Sequence, residues 1–167
     1  MEIIVGYDFK KNGYTLDELR KESIAQSGEI DETEEEIVKE DPSHLIVMIE
    51  DKLILGWAIW HESNTREHSL GSPRDAEDIK ILEDLANGRF EIIEIHELWL
   101  KKAHRGKGYG KQFFDFFEKF VIDKGYDKIV YYAYNESAIN LCRKLGYKES
   151  YYESLKWHTF YKVVDTP

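Results

Sequence analysis

The segment from Arg105 to Gly110 reads RGKGYG, so that three glycines alternate with other residues. The apolar run Leu98, Trp99 and Leu100 lies before it and predicts the end of a strand, and a phenylalanine-rich run after it predicts a helix. Glycine lets the backbone approach a ligand closely, and the first N–H groups of a helix lie unpaired at the positive end of its dipole. This arrangement favours the binding of an anionic group, above all a phosphate.

Positive charge is concentrated around the same loop, although the net charge of the whole protein is −10. The basic residues are Lys101, Lys102, Arg105, Lys107 and Lys111. A bound polyphosphate is the simplest explanation of this local charge, and a glycine-rich surface turn with nothing bound is the alternative.

Two common phosphate-binding motifs do not fit this loop. A P-loop requires a glycine where Arg105 stands and a serine or threonine where Gln112 stands. The dinucleotide fingerprint G-x-G-x-x-G requires its third glycine where Lys111 or Phe113 stands. The segment instead has the form R-G-x-G-x-G.

Length and composition predict a single domain that covers residues 1–167. Of the 167 residues, 42% are hydrophobic and 34% are charged, as expected of a globular protein with its own core. The apolar runs are shorter than the roughly 20 residues that span a bilayer, the first residues do not form a signal peptide, and one cysteine cannot make an internal disulfide. We therefore expect a cytoplasmic protein that does not bind a membrane.

The acidic residues are unevenly distributed along the chain. Residues 29–41 contain eight acids and one lysine, which account for −7 of the total charge of −10. Because nucleic-acid-binding proteins carry a basic footprint, we expect no nucleic-acid partner. The acidic run either forms a solvated helix face or lines a groove that attracts a cation.

Hydrophobic periodicity and turn residues divide the chain into strands and helices. The predicted strands cover residues 2–8, 45–50, 53–60, 90–100, 128–134, 147–153 and 156–164. The predicted helices begin near Thr15 and cover residues 33–40, 73–87, 108–124 and 136–145. Residues 61–72 are predicted to be irregular. The buried face of the longest helix is predicted to consist of Phe113, Phe116, Phe117 and Phe120.

Two motifs in the sequence resemble those of one protein family. The segment from Arg105 to Gly110 closely resembles the pyrophosphate loop of the GNAT superfamily, the acyl-CoA-dependent N-acyltransferases. The segment from Asn135 to Tyr147, NESAINLCRKLGY, resembles the later family motif N-x-x-A-x-x-L-Y-x-K-x-G-F/Y. The resemblance implies an α/β (α+β) fold, in which helices flank a central splayed sheet of about seven mixed, mostly antiparallel strands, with a helical insert between the third and fourth strands.

The resemblance also implies that acetyl-CoA is the cosubstrate and that no metal is required. The strand edge at Leu98, Trp99 and Leu100 would pair with the pantetheine arm. The pyrophosphate would be held, mainly by backbone N–H groups, by Arg105, Gly106, Lys107, Gly108, Tyr109, Gly110 and Lys111. Asn135 would contact the cofactor, and it is at the same time a helix N-cap.

For the general base, the resemblance points to the strand IIEIHELWL. Alternation along this strand places Glu94 and His96 on one face and Glu97 on the other. Family members often carry an acidic residue at the position of Glu94 or at that of His96. Glu94 is therefore the first candidate, and His96, whose imidazole is suited to proton transfer near neutral pH, is the second. The alternative is a hydrogen-bonded cleft residue without a proton role.

Cys142 occupies the position of the tyrosine that commonly acts as the acid in this family. A thiol can donate a proton to the leaving CoA thiolate, and a small buried hydrophobic residue is the alternative interpretation. Other candidates for the acid are Tyr131, Tyr132, Tyr134 and Tyr147. The thiolate can also leave unaided, stabilised by the helix N-terminus.

The sequence therefore predicts an N-acetyltransferase that moves an acetyl group from acetyl-CoA directly to a primary amine. The acidic run favours a cationic small-molecule or peptide acceptor, such as a polyamine, a lysine side chain or a peptide N-terminus. The segment 61–89 is interpreted as a lid over the substrate or as a homodimer contact. The alternative function is an acyl-CoA-binding sensor or interaction module on the same fold, which the missing tyrosine favours.

Overall fold

Seven strands and four α-helices are formed by the residues that the computed structural model describes, which are 1–8, 11, 21, 32–63, 73–86, 92–133, 135–153 and 156–164. The strands are β1 (Glu2–Val5), β2 (Leu45–Glu50), β3 (Leu53–Ser63), β4 (Ile92–Leu100), β5 (Lys128–Ala133), β6 (Lys148–Tyr152) and β7 (Trp157–Val163). The helices are α1 (Glu32–Glu40), α2 (Pro73–Ala86), α3 (Tyr109–Asp123) and α4 (Glu136–Lys144). None of these described helices is long and apolar enough to cross a membrane.

The strands form one sheet in the order β1-β2-β3-β4-β5-β7-β6. β4 and β5 run parallel, whereas β1 with β2, β2 with β3, β5 with β7 and β6 with β7 are antiparallel. The helix α2 is inserted between β3 and β4. These features confirm the predicted α/β fold with a mixed sheet, flanking helices and a helical insert.

The chain divides into two compact units. The first consists of Met1–Trp60 and His96–Phe113, and the second consists of His61–Ile95 and Phe114–Pro167. The elements β3, β4 and α3 therefore contribute residues to both units.

In the first unit, β2 and β3 form a hairpin that α1 covers. The buried cluster consists of Leu45, Val47, Ile54, Trp57 and Ile59. Ile37 and Val38 of α1 pack against this cluster, so the acidic helix is held by its two apolar residues. Asp51 and Lys52 join the strands with φ angles of 50° and 67°, which suit the tight two-residue turn that matches the twist of a hairpin.

β3 and β4 approach each other closely at Gly56 in the first unit. A Cβ atom at this position would lie 2.2 Å from the carbonyl oxygen of Trp99. Just beyond this point, the Lys101 N–H donates to the carbonyl oxygen of Leu55 at 2.9 Å. Glycine at position 56 therefore lets the end of β4, where the glycine loop begins, lie against β3.

In the second unit, α2 covers one face of β4 and β5. Leu82 and Leu85 of α2 form a buried cluster with Ile92 of β4 and Val130 of β5. Three further side chains pack against this cluster, namely Ile81, Tyr132 and Tyr161. The layer above these strands is therefore mainly apolar.

Several predicted boundaries are wrong by a few residues. β1 ends at Val5 rather than at residue 8, and β3 continues through His61 to Ser63 rather than ending at residue 60. The longer strand is explained by burial, because Ser63, like the apolar run before it, is buried, with only 1% of its surface exposed. The helix predicted near Thr15 and residues 64–72 of the predicted irregular segment lie outside the described residues.

The predicted buried face of α3 is also partly wrong. Its fully buried residues are Phe113, Phe114, Phe117 and Val121. The predicted residues Phe116 and Phe120 are only half-buried, and their rings stack on each other with centroids 6.0 Å apart. The predicted and observed faces share Phe113 and Phe117, but the buried arc is rotated around the helix towards Phe114 and Val121 and away from Phe116 and Phe120.

Candidate active site

The loop between β4 and α3 turns at two glycines. Gly106 and Gly108 have φ angles of +75° and +87°, which lie in the left-handed region that side chains disfavour. Apart from each glycine itself and its two chain neighbours, no heavy atom of the described residues lies within 4 Å of the place where either glycine would carry a Cβ. The backbone here is therefore bordered by open space, as the close approach of a phosphate requires.

The helix α3 begins immediately after this turn. The N–H of Gln112 donates to the carbonyl oxygen of Gly108 at 3.1 Å, which starts the helical hydrogen bonding. The N–H groups of the first turn have no acceptor within a helix and carry its positive dipole end. Lys107 and Lys111 are exposed beside them, so backbone and side chains together favour an anion.

Arg105 points back towards β4 rather than out into solvent. Its Nε donates to the carbonyl oxygen of Leu100 at 2.8 Å, and its guanidinium lies 4.6 Å from the centre of the Trp99 ring. A cation over an indole face is a favourable contact. Arg105 therefore braces the loop against the strand, which leaves anion binding mainly to the backbone and the lysines.

Tyr109, the first residue of α3, is fixed by Glu50 at the end of β2. The tyrosine hydroxyl donates to Oε2 of Glu50 at 2.5 Å. This hydrogen bond lowers the pKa of the Glu50 carboxyl and raises the pKa of the Tyr109 phenol. The contact therefore persists around neutral pH and ties the start of α3 to the β2–β3 hairpin.

β4 extends beyond its pairing with β5. Within the described strands, the parallel register joins Ile93, Glu94 and Ile95 to Ile129, Val130 and Tyr131, and it ends there. The predicted pantetheine edge, Leu98, Trp99 and Leu100, lies on the remaining part of β4. The end of regular pairing before this edge fits the expectation of a strand that offers its backbone to a ligand.

Glu94, the first candidate for the base, is almost fully buried, with 6% of its surface exposed. It lies two residues after Ile92 and opposite Val130, on the strand face that α2 covers. A carboxylate in such a place is strongly disfavoured unless other groups compensate its charge. One such group is His61 at the end of β3, whose Nε2 lies 3.6 Å from Oε2 of Glu94.

His61 is a candidate that the sequence analysis does not single out, because residues 61–72 are predicted there to be irregular. Its Nδ1 lies 2.8 Å from the carbonyl oxygen of Glu62. Its side chain is 18% exposed, compared with 8% for that of Glu94. Because the continuous apolar run ends at Trp60 and three polar residues follow it, the sequence carries no apolar signal that the strand continues through this histidine.

The two other titratable residues of β4, His96 and Glu97, differ in their surroundings. His96, the second candidate for the base, is half-buried on β4. Glu97 accepts a hydrogen bond at 3.3 Å from Nε1 of Trp57. The prediction that Glu97 faces away from the candidate base residues stays a prediction.

The sequence matches one family over most of its length. Residues 12–147 match the family model described as the acetyltransferase (GNAT) family. The chain belongs to the GNAT acetyltransferase family. A search of the curated proteins found no match to this sequence.

Solved structures show the same GNAT fold. The polyamine N-acetyltransferase of Drosophila melanogaster has a TM-score of 0.67 at 13% identity, over 97% of this chain and 100% of that chain. Ard1 from Thermoplasma volcanium has a TM-score of 0.66 at 12% identity, over 99% of this chain and 98% of that chain. The yncA protein of Salmonella typhimurium was solved with its cofactor acetyl-CoA. It has a TM-score of 0.64 at 13% identity, over 100% of this chain and 95% of that chain. At these identities the likeness shows the fold alone.

The residue at the GNAT acid position, Cys142, is fully buried in this chain. Cys142 lies on α4 and has none of its surface exposed. Burial, with a smaller contribution from the charge of Glu149, raises the pKa of Cys142 to about 12. The placement favours the packed hydrophobic residue that the sequence analysis kept as the alternative, and the role of Cys142 as an acid stays a prediction.

The tyrosines proposed as substitutes for the acid are placed differently from one another. The Tyr147 hydroxyl donates to Oε1 of Glu118 at 3.2 Å, and burial raises the pKa of its phenol. Tyr131 is buried against Phe114, with ring centroids 6.1 Å apart. Tyr134 lies outside the described residues.

Asn135 of the second GNAT motif is the N-cap of α4. Its Oδ1 accepts a hydrogen bond from the Ala138 N–H at 2.8 Å. The residue is exposed, so its capping role leaves its amide nitrogen at the surface. Its predicted contact with the cofactor stays a prediction.

Proposed function

We propose that this GNAT protein is an N-acetyltransferase that transfers an acetyl group from acetyl-CoA directly to a primary amine. The observation that carries the proposal is the loop R-G-K-G-Y-G, with two left-handed glycines open to their surroundings, immediately before the N-terminus of α3. This is the anion site that the pyrophosphate of CoA requires. A relative of the same fold, yncA, is described with acetyl-CoA as its cofactor.

The reaction needs the removal of a proton from the acceptor ammonium before its nitrogen attacks the thioester carbonyl. Glu94 is the proposed base because it is a buried carboxylate on the strand that leads into the glycine loop. A backbone N–H of β4 is suited to stabilise the tetrahedral oxyanion. Since Cys142 is fully buried, the CoA thiolate is proposed to leave with the help of the positive end of α3.

The proposed acceptor is a cationic amine. In the described part of the acidic run, Ile37 and Val38 pack inward, while Glu36, Glu40 and Asp41 are exposed. An acidic surface raises the local concentration of a cation. Two structures with TM-scores of 0.67 are named for agmatine and polyamine N-acetylation, and both of those acceptors are cationic amines.

The test is a turnover assay with acetyl-CoA and a panel of polyamines, amino acids, basic peptides and aminoglycosides, read as release of the CoA thiol. We expect release with cationic amines and little above hydrolysis with acidic amino acids. The paired substitutions Lys107→Glu and Lys111→Glu should raise KM for acetyl-CoA, because they reverse charge beside the loop. Lys148→Glu, which changes an exposed lysine of β6, is the matched control and should not raise it.

A second candidate function is an acyl-CoA-binding module without turnover, which the burial of Cys142 at the acid position favours. In that case acetyl-CoA raises the melting temperature, but no amine gives thiol release above hydrolysis. If acetyl-CoA neither turns over nor stabilises the protein, both functions are wrong.

A further inference from the structure

We infer that His61 and Glu94 form a proton relay, in which Glu94 takes the proton of the acceptor ammonium and His61 passes it on towards solvent. The inference rests on the proposed function, because a relay is needed only if an amine is deprotonated. His61 lies outside both GNAT motifs of the sequence. It is a positioning residue that acts through Glu94, the proposed base.

The two groups differ in burial. Glu94 is 6% exposed, so a proton that it accepts cannot leave directly into water. The His61 side chain is more exposed, and its Nε2 is 3.6 Å from the Glu94 carboxylate. This distance is within ion-pair range but longer than a hydrogen bond, and long contacts of this kind are common for catalytic groups before substrate binds.

The surroundings of His61 determine which of its ring nitrogens carries the hydrogen. The carbonyl oxygen of Glu62, 2.8 Å from Nδ1, can only accept a hydrogen bond, so Nδ1 carries the hydrogen. In the neutral ring, Nε2 therefore turns a lone pair towards the Glu94 carboxylate. The lone pair of Nε2 and the carboxylate repel each other, and a proton added between them replaces this repulsion with an attraction. The pair is therefore suited to accept one proton.

The described layer beside the pair is mainly apolar. The apolar layer on this face consists of Ile81, Leu82, Leu85, Ile92 and Val130. Its titratable members are the phenols of Tyr132 and Tyr161, which pack against that layer. His96 is the next residue on the same face of β4. The charged residues of α2 described here, Lys80, Glu83 and Asp84, are exposed.

The proton balance of the relay is simple. One N–H bond of the acceptor ammonium breaks, its electron pair stays on nitrogen, and an O–H bond forms on Glu94. That O–H bond then breaks as an N–H bond forms at Nε2 of His61, giving an imidazolium that still donates through Nδ1 to Glu62. The neutral amine then attacks the thioester carbonyl and a C–N bond forms. As the C–S bond breaks, the nitrogen loses its second proton, which ends on the CoA thiolate, so the products are the amide and the free thiol. His61 releases the relayed proton to solvent.

The test compares His61→Gln with the wild type on two acceptors. One is a strongly basic amine that the wild type accepts, and the other is its β,β-difluorinated analogue, whose amine is much less basic, so that a mildly alkaline assay leaves the first acceptor protonated and the analogue largely neutral. His61→Gln should lower kcat/KM about 10- to 100-fold for the basic amine and about twofold or less for the analogue. The loss should shrink as pH rises towards the pKa of the basic amine, because that acceptor then needs no base.

The control is Glu118→Gln, which changes a carboxylate paired with Lys162 at 2.7 Å in the same unit. It should leave the ratio between the two acceptors and the pH profile unchanged. Equal loss with both acceptors in His61→Gln would show a merely structural role and overturn the relay. Loss of wild-type activity on treatment with a chelator would show a metal site and also overturn it. If the wild type acetylates no amine at all, the proposed function fails first, and the relay fails with it.

Discussion

At the scale of single residues, the contact between Tyr109 and Glu50 has the clearest consequence for cosubstrate binding. The hydroxyl of the first α3 residue is held 2.5 Å from the carboxylate of Glu50, so it orients the helix end that borders the glycine loop. Tyr109→Phe and Glu50→Gln should each raise KM for acetyl-CoA by a few-fold, with kcat little changed. Steady-state kinetics with acetyl-CoA as the varied substrate measures this.

The two substitutions should also be non-additive, because Tyr109→Phe removes the contact that Glu50→Gln weakens by removing its charge. Asp51→Asn is the matched control, since it neutralises the next acid in a turn position with positive φ that asparagine tolerates. A double variant whose effect equals the sum of the single effects would show that the two residues act independently.

Cys142 carries the second prediction at this scale. Because burial raises its pKa to about 12, the thiol stays neutral below that pH and is shielded from reagents. Iodoacetamide at pH 8 should therefore leave Cys142 unmodified in the folded protein and alkylate it after denaturation, as mass spectrometry would show. Cys142→Ala should keep most of the turnover and lower the free energy of unfolding by about 1 kcal/mol. Loss of turnover in a stable Cys142→Ala protein would restore the acid role.

At the scale of elements, the strand β4 and its loop depend on two glycines for different reasons. At Gly56 the obstacle to a side chain is the Trp99 carbonyl, 2.2 Å from the Cβ position. At Gly106 the space is open, and the obstacle is the φ angle of +75°. The first glycine thus serves strand packing, and the second serves the shape of the loop.

Alanine substitutions should separate these two roles. Gly56→Ala should lower the free energy of unfolding by about 1–3 kcal/mol, as overpacking does. Gly106→Ala should lower the free energy of unfolding by at most about 1–2 kcal/mol through local strain. It should raise KM for acetyl-CoA more than Gly56→Ala does. Urea denaturation and acetyl-CoA kinetics on both variants measure the two effects. A larger KM change in Gly56→Ala would show that strand packing, not loop shape, controls cosubstrate affinity.

At the scale of the whole molecule, the distribution of charge separates the two proposed ligands. The net charge is −10, and residues 29–41 contribute −7 of it, whereas the glycine loop is basic. The polyanionic cosubstrate is therefore attracted to one segment and the cationic acceptor to another.

Salt should weaken the second attraction, because exposed charges are screened over about 8 Å at physiological ionic strength. Raising the salt concentration from about 0.05 M to about 0.5 M should increase KM for a polyamine severalfold. It should change KM much less for an acceptor with the same reacting amine and an uncharged tail. Equal salt dependence for the two acceptors would contradict the acidic-groove interpretation.

The glycine loop, the strand before it and the cap of α4 could be predicted from the sequence because their causes are local. Gly106 and Gly108 favour a turn through their own φ preferences, and Asn135 caps the helix that begins at the next residue. Two such motifs in the right order were sufficient to predict the family. The boundaries and the buried face of α3 were harder, because they depend on how much of each element the neighbouring layers cover.

The contacts that complete the candidate site depend on tertiary structure. Glu50 and Tyr109 are 59 residues apart in the chain, and His61 meets Glu94 only because β3 continues to Ser63. No local preference encodes such pairs, since they form when strands from distant parts of the chain come together and bury the groups between them. The sequence by itself therefore determined the fold family and the anion-binding loop. Only the tertiary structure decided which side chains surround the proposed base, because burial and contact are properties of the packed chain.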